Sequence, residues 1–203
     1  MRDPTRVAIL ISGRGTNMRA LIDQANGYEI VLVASNNPRA PGLDYARQAG
    51  ISTWASDRPR SEFEAGLNEV LNEHDIGTIA LAGYMRLLSN AFVEQWRGRI
   101  VNIHPSLLPK YPGLDCHSRA IAAGDSMSGC SVHVVTEEVD AGEVLAQAEV
   151  PIELEDNAES LERRVLEAEH RLYPKVLSEF VRGRYPKRRH PWRGGQRDDE
   201  TPL

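Results

Sequence analysis

A chain of 203 residues has the length of a single domain and can bury a substantial core. Hydrophobic residues make up 41% and charged residues 26%, and the formal net charge of -5 gives no electrostatic reason to expect a nucleic-acid partner. No apolar run approaches the length of a signal-peptide core or a membrane span, so we expect a cytoplasmic protein with no membrane partner. The two cysteines, Cys116 and Cys130, are expected to be reduced thiols.

Short apolar runs alternate along the chain with amphipathic helical patterns. The alternation predicts an α/β fold with a mostly parallel central sheet and helices on both faces. Ligands bind such sheets beyond the carboxyl ends of the strands, so the loops after Ile11, Ala82 and Ile103 are the expected site. Strands are predicted at 7–11, 30–35, 78–83, 100–103, 131–135 and 144–150, and helices at 18–24, 43–49, 61–74, 90–96 and about 158–181.

The composition changes after residue 181. Segment 182–203 consists largely of Gly, Pro and charged residues, which predicts a mobile basic tail that is solvated and does not bind nucleic acid. No internal repeat and no linker indicates a second domain. Residues 1–181 are therefore predicted to form one domain.

The segment SGRGTN, residues 12–17, follows the first predicted strand and opens a helix. Its glycines permit tight turns, and Thr16 and Asn17 lie where a helix presents free N–H groups, which suits a phosphate. Met18 stands where the third glycine of the dinucleotide fingerprint belongs, which counts against a nicotinamide dehydrogenase. The segment favours a monophosphate over a dinucleotide, and a plain strand-to-helix turn is the alternative.

The segment NIHPSLLPKYPG, residues 102–113, begins at the end of a predicted strand. Asn102 and His104 are two residues apart, so their side chains leave the same face of that strand. Pro105 restricts His104 to an extended conformation. An amide beside an imidazole on a stiff loop suits the stabilisation of a developing oxyanion. A lone histidine would more often be structural, but the pair at the mouth of the sheet favours a catalytic centre.

A carboxylate beside His104 would favour the imidazolium form and hold its orientation. Asp140 lies in a loop after the strand at 131–135, and Glu137 and Glu138 compete with it for this role on sequence alone. A solvated acidic turn is the alternative for all three. His133 lies on the same strand, and both packing and a place in the site remain open for it.

Taken together, these residues closely resemble the phosphoribosylglycinamide formyltransferases, folate-dependent enzymes of purine biosynthesis. The matching stretches run in the family's order from about residue 7 to 174. The resemblance implies a Rossmann-like fold, with a phosphate- and nucleotide-binding half over about 1–100 and a catalytic and folate-binding half over about 101–181. It leaves open a monomer or a homodimer. The matching stretches are LISGRGTN, LAGYMRLLS, NIHPSLLPKYPG, SVHVVTEEVDAGEVLAQ and AEHRLYP.

The resemblance also assigns binding residues. Gly15, Thr16 and Asn17 would hold the substrate phosphate, and Glu169 would reach the ribose hydroxyls. Apolar walls with a few polar contacts would hold the pterin. The expected folate-binding residues are Arg60, Met85, Arg86, Leu87, Leu88, Asn102, Thr136, Glu137, Glu138, Val139 and Asp140.

The reaction implied is direct formyl transfer from 10-formyltetrahydrofolate, the co-substrate, to the amine of glycinamide ribonucleotide. The products would be formylglycinamide ribonucleotide and tetrahydrofolate. Asn102 and a protonated His104 would stabilise the tetrahedral oxyanion, and Asp140 would raise the pKa of His104. No metal is expected, because the six histidines are scattered and pair with neither cysteine.

The sequence departs from the family pattern at Asp115 and Glu143, neither of which is one of the three expected catalytic residues. Three other functions share parts of the pattern. Methionyl-tRNA formyltransferase is expected to carry an additional C-terminal domain, and formyltetrahydrofolate hydrolase an N-terminal regulatory domain. A catalytically silent folate- or nucleotide-binding module would have no need of Asn102, His104 and Asp140.

Overall fold

The computed structural model describes residues 2–185, and its centre is a single sheet. The strands are β1 (Arg6–Ile11), β2 (Glu29–Ser35), β3 (Ser52–Ala55), β4 (Thr78–Leu81), β5 (Ile100–His104), β6 (Met127–Val134) and β7 (Val144–Pro151). They form a seven-stranded sheet in the order β3-β2-β1-β4-β5-β6-β7. Pairing is parallel from β3 to β5 and antiparallel from β5 to β7, which confirms the mostly parallel α/β sheet.

Helices cover both faces of the sheet. They are α1 (Thr16–Asp23), α2 (Gly42–Gln48), α3 (Arg60–Glu73), α4 (Asn90–Gln95), α5 (Cys116–Ala122) and α6 (Ala158–Val181). The pattern of apolar residues predicts all of these elements except β3 and α5. The strand β3 has only four residues, none of them fully buried, and α5 buries only Cys116 and Ala120. Neither therefore produces a periodic signal in the sequence.

Two hydrophobic clusters lie on opposite sides of the sheet. Val7, Ile9 and Ile11 of β1 pack with α1, α2 and α6, whereas Ala8 and Leu10 pack with α3 and α4. Because both faces of β1 are covered, its sequence is apolar throughout and does not alternate. The apolar run at 7–11 is therefore a central parallel strand.

The long helix α6 places one of its faces along the carboxyl ends of β4 and β5. It begins with a capping box, in which the Asn157 side chain accepts from the Ser160 N–H and the Ser160 hydroxyl accepts from the Asn157 N–H. The Tyr173 hydroxyl lies 3.0 Å from the carbonyl oxygen of Leu81 and 3.1 Å from that of Val101. These contacts fix the register of the helix against the edge of the sheet where ligands are expected.

Four further findings concern the ends and the surface. Residues 182–185 follow α6, and the remainder of the predicted tail, 186–203, lies outside the described residues. Among residues 2–185, no helix combines the length and apolar character needed to cross a membrane. The same residues contain no cluster of three or more His, Cys, Asp or Glu side chains arranged to hold a metal ion. Both cysteines are free and buried.

Candidate active site

A cleft of about 1240 Å³ opens at the carboxyl ends of the central strands. Its walls are the loops after β4 and β5, the loop between β6 and β7, and one face of α6. The loop after β1 contributes Asn17, which lies in the first turn of α1. The position of the cleft agrees with the rule for open α/β sheets, and all three strand ends named from the sequence lie around it.

Asn102 and His104 lie on β5 and both line this cleft, as the two-residue spacing predicts. His104 is only 5% exposed. Its Nε2 lies 2.9 Å from the backbone carbonyl oxygen of Tyr111, and its Nδ1 lies 3.4 Å from Asp140 Oδ2. The backbone N–H of Gly113 donates to the same Asp140 oxygen at 2.9 Å. The imidazole is therefore held between a carbonyl and a carboxylate.

His133 joins this group from β6. In the antiparallel pairing it lies directly opposite Asn102, and its Nε2 is 3.1 Å from Asn102 Nδ2 and 3.5 Å from Asp140 Oδ1. The other ring nitrogen, Nδ1, lies 3.0 Å from the Val134 carbonyl oxygen. A ring that donates from Nδ1 to this carbonyl can accept from the Asn102 amide at Nε2. His133 is therefore buried and also contacts the Asn102 amide, so its place in the site stays a prediction.

Of the three acidic residues considered from the sequence, Asp140 is the one beside His104. Glu137 instead pairs with Arg97 at 2.6 Å, and the Glu138 carbonyl oxygen accepts from the Thr136 hydroxyl at 3.1 Å. Asp140 has a left-handed backbone, with φ of 53°, which an aspartate tolerates better than most residues.

The pKa of His104 lies below its ordinary value, mainly because burial disfavours the charged ring. The Tyr111 carbonyl and the Asp140 carboxylate raise the pKa of His104, but they do not outweigh burial. Burial also acts to raise the pKa of Asp140, yet the neighbouring His133 ring and the hydrogen bond from the Gly113 N–H leave it below the usual range. Asp140 therefore acts on the pKa of His104 in the expected direction, but burial has the larger influence.

A second polar group lies at the other end of the cleft, where Asn17 and Glu169 are both buried. The Asn17 side-chain N–H donates to Glu169 Oε2 at 2.7 Å, and Asn17 Oδ1 is buried without a partner. Burial raises the pKa of Glu169 to about 7. Gly15 and Thr16, the other two expected phosphate ligands, are the N-cap and the first residue of α1, just outside the cleft. The structure thus brings Asn17 and Glu169 into direct contact.

The predicted folate-binding residues all line the cleft. Met85 and Leu87 are 71% and 62% exposed, which is unusual for large apolar side chains and leaves apolar surface for a ligand. Arg86 donates to the Arg58 carbonyl oxygen at 3.0 Å, and its guanidinium lies 5.5 Å from the centre of the Phe63 ring.

Among the cleft residues that were not identified from the sequence are Cys116, His117 and Glu162. The first two belong to α5, which the sequence pattern does not predict. Cys116 Sγ lies 3.4 Å from His104 Nε2, and His117 Nδ1 is buried without a partner. Glu162 lies seven positions before Glu169 on α6, so helical periodicity alone could have placed both on one face.

The two departures from the family pattern lie in loops. Asp115 is the N-cap of α5 with φ of 58°, and it lines the cleft. The carbonyl oxygen of Glu143 accepts from the Val134 N–H at 2.9 Å, so its backbone closes the loop that carries Asp140.

The sheet and the cleft at its carboxyl edge define a Rossmann-like α/β enzyme of the formyltransferase type. A family model described as formyl transferase matches residues 5–177, and the chain belongs to that family. The resemblance drawn from the sequence is thereby confirmed.

The relatives are more specific. Phosphoribosylglycinamide formyltransferase of Escherichia coli is 44% identical over 94% of this chain and 94% of its own length. The trifunctional purine biosynthetic protein adenosine-3 of Gallus gallus is 46% identical over 88% of this chain, which spans only 18% of that protein. A crystal structure of phosphoribosylglycinamide formyltransferase from Brucella melitensis is 49% identical, with a TM-score of 0.83 over 89% of this chain and 96% of the other.

Proposed function

We propose that the protein transfers a formyl group from 10-formyltetrahydrofolate to the amine of glycinamide ribonucleotide, a step of purine biosynthesis. The observation that carries the proposal is a polar cluster of Asn102, His104 and Asp140 within one cleft. The two ends of the cleft, on either side of this cluster, differ in polarity. One end has exposed apolar side chains, and the other has the buried polar pair Asn17 and Glu169. Such a cleft suits two substrates that meet at a polar centre.

The apolar end fits the folate. Met85, Leu87 and Val139 expose 71%, 62% and 50% of their surface around the cleft, and Arg60 and Arg86 supply positive charge there for the carboxylates of the folate tail. When bound, 10-formyltetrahydrofolate supplies an electrophilic formyl carbon and a nitrogen leaving group.

The polar end fits the nucleotide. Gly15, Thr16 and Asn17 form the first turn of α1, where free N–H groups and the helix dipole favour a phosphate. Asn17 Oδ1 and the Glu169 carboxyl are oxygen acceptors, and ribose hydroxyls are donors that would satisfy them.

His104 is proposed to accept the proton that the attacking amine loses. The lowered pKa keeps the ring neutral before reaction, and donation from Nε2 to the Tyr111 carbonyl leaves the lone pair on Nδ1. Nδ1 faces Asp140 Oδ2 at 3.4 Å. Before the reaction, the Nδ1 lone pair and the Asp140 carboxylate are both hydrogen-bond acceptors. A proton taken up on Nδ1 would make His104 a cation beside the carboxylate, and this ion pair stabilises the imidazolium.

Asn102 is proposed to donate to the oxyanion that develops on the formyl oxygen. One of its N–H groups is directed at His133 Nε2, 3.1 Å away, which fixes the amide and leaves the second N–H for the substrate. His104 would then return its proton to the departing folate nitrogen, directly or through a water molecule.

The test is to mix the purified protein with 10-formyltetrahydrofolate, with and without glycinamide ribonucleotide, and to follow deformylated folate by absorbance. We expect formation of tetrahydrofolate that requires the nucleotide, with one formylated nucleotide for each folate consumed. Deformylation without the nucleotide would indicate a hydrolase. Folate binding with no turnover in either mixture would indicate a silent binding module.

We further infer that the protein is cytoplasmic, uses no metal, and acts as a monomer or homodimer of a domain spanning residues 1–181. The two free, buried cysteines support a reducing compartment. Cell fractionation, activity after dialysis against a chelator, and light scattering of the purified protein test these three points in turn.

A further inference from the structure

The loop after β5 turns back over His104. Its backbone contacts both members of the His104–Asp140 pair, because the Tyr111 carbonyl oxygen lies 2.9 Å from His104 Nε2 and the Gly113 N–H donates to Asp140 Oδ2 at 2.9 Å. The orientation of the imidazole therefore depends on the conformation of this loop.

The carbonyl that meets His104 belongs to a residue in an unfavourable conformation. Tyr111 has φ of 55°, in the left-handed region that bulky residues rarely adopt. Its side chain supplies a restraint, because the Tyr111 hydroxyl donates to Asp125 Oδ2 at 2.9 Å. The Asp125 N–H in turn donates to the Ala120 carbonyl oxygen near the end of α5, at 3.2 Å. The phenol is thus tied to a helix that does not belong to the loop.

We propose that Asp125 and Tyr111 are positioning residues, in which the hydrogen bond between phenol and carboxylate fixes the Tyr111 carbonyl against His104 Nε2. Neither residue lines the cleft, so neither contacts the reacting atoms. The inference rests on the proposed function, because it assumes that His104 carries the proton of formyl transfer.

The pair has a consequence for the titration of His104. The groups that act on this ring are Asp140 from the loop before β7, His133 from β6, the Tyr111 carbonyl, and three side chains of α5, namely Cys116, His117 and Arg119. The carbonyl raises the pKa of His104, so a loop that moved away would lower it further.

The first test is Tyr111→Phe, which removes only the hydroxyl. We expect kcat to fall about tenfold, since small misplacement of a catalytic group is costly, while the KM of each substrate stays within about twofold. Tyr45→Phe is the matched control, because the Tyr45 hydroxyl donates to Asp23 at 2.5 Å and Arg19 lies over its ring, outside the cleft. That variant is expected to retain kcat.

The second test concerns Asp125. Asp125→Ala should lower kcat as much as Tyr111→Phe, and the double variant should lose no more, because both remove one interaction. Asp125→Asn keeps an oxygen that accepts from the phenol, so it should restore most of kcat. Asp125→Asn also weakens the exposed ion pair between Asp125 and Lys110. A kcat near that of the parent protein in this variant would therefore show that the loss in Asp125→Ala comes from the hydrogen bond with the Tyr111 phenol, and not from the ion pair.

A readout without substrates separates this inference from the proposed function. The pKa of His104 is measured by NMR titration, with the resonance assigned from a His104→Ala spectrum, and it should be lower in Tyr111→Phe and Asp125→Ala than in the parent protein. An unchanged titration in both variants, or a loss confined to KM, would overturn the positioning role. Absence of formyl transfer in the parent protein would overturn the proposed function alone, and the titration would still decide the role of the pair.

Discussion

Two carboxyl groups of the same cleft, the buried Glu169 and the partly buried Asp140, have pKa values shifted in opposite directions. Burial raises the pKa of Glu169 to about 7, whereas the pKa of Asp140 is below its usual range although burial opposes this. The difference lies in their partners. Glu169 accepts from the Asn17 amide, while Asp140 accepts from the Gly113 N–H and faces both His104 and His133. The balance between burial and the neighbouring groups therefore sets the pKa of each carboxyl group.

The contrast matches the two tasks proposed for the cleft. A charged Asp140 is needed to stabilise an imidazolium at His104, which is otherwise disfavoured by burial. Glu169, whose pKa is about 7, is present in both the protonated and the charged form at neutral pH, so it can donate to or accept from hydroxyl groups. The predictions that follow act on one end of the cleft or on the other.

The largest effect is expected from His104→Ala. Loss of a general acid–base group costs about 10²–10⁴ in rate, so kcat should fall by at least about 10²-fold while both KM values change little. Steady-state kinetics measures this, with His74→Ala, a histidine outside the cleft, as the control. Near-normal turnover would remove His104 from the mechanism.

The second effect is expected from Asp140→Asn, which removes the charge and keeps the size. We expect kcat to fall by about 10²-fold and the pKa of His104 to drop further, because the Asp140 charge raises it. The pKa of Asp140 is depressed on folding, so its contribution to stability is present above the unfolded pKa and is lost as the pH falls through the folded one. Thermal melts should therefore show a deficit at pH 7 that narrows toward pH 3.

A smaller and opposite effect on stability is expected from Glu169→Gln. The pKa of Glu169 is raised in the folded protein, so the folded state holds the proton more tightly and stability falls as the pH rises from about 4.5 to about 7. Removing the charge should therefore stabilise the protein at pH 8 by about 1–3 kcal/mol, with no gain near pH 4.

The kinetic consequence of Glu169→Gln should be confined to the nucleotide. We expect the nucleotide KM to rise about tenfold with kcat nearly unchanged, because the amide offers one oxygen acceptor where the carboxyl group offers two. If the folate KM rose instead, the assignment of the two ends of the cleft would be reversed. A melting temperature at pH 8 below that of the parent protein would contradict the acid–base argument.

The sequence predicts much of this arrangement, and the exceptions have physical causes. Asn102 and His104 were found because strand periodicity is local. The choice of Asp140 over Glu137 and Glu138 depends on how a loop folds back, which spacing does not reveal. His133 lies opposite Asn102 only because of the register between β5 and β6, two strands separated by a helix in the chain.

The dominant influence on the pKa of His104 could not be predicted, for a related reason. The sequence identifies the carboxylate that raises its pKa, but the larger influence is burial, which depends on the whole fold. The helix α5 contributes to this burial, because its Cys116 Sγ lies 3.4 Å from His104 Nε2. Its sequence has no periodic pattern of apolar residues, so the helix was not predicted. Local patterns therefore identify the residues proposed to be catalytic better than they give the charges of those residues.

The smallest effect is expected from Asp44, an exposed carboxylate that serves as a reference for Asp140 and Glu169. Asp44 pairs with Arg47 at 2.7 Å on the surface of α2, and both side chains are more than half exposed. Water screens such pairs, so Asp44→Asn should change the free energy of unfolding by less than about 0.5 kcal/mol, with kcat and both KM values unaltered. A loss as large as that of Asp140→Asn would mean that simple removal of charge, and not the buried setting, explains the behaviour of the cleft.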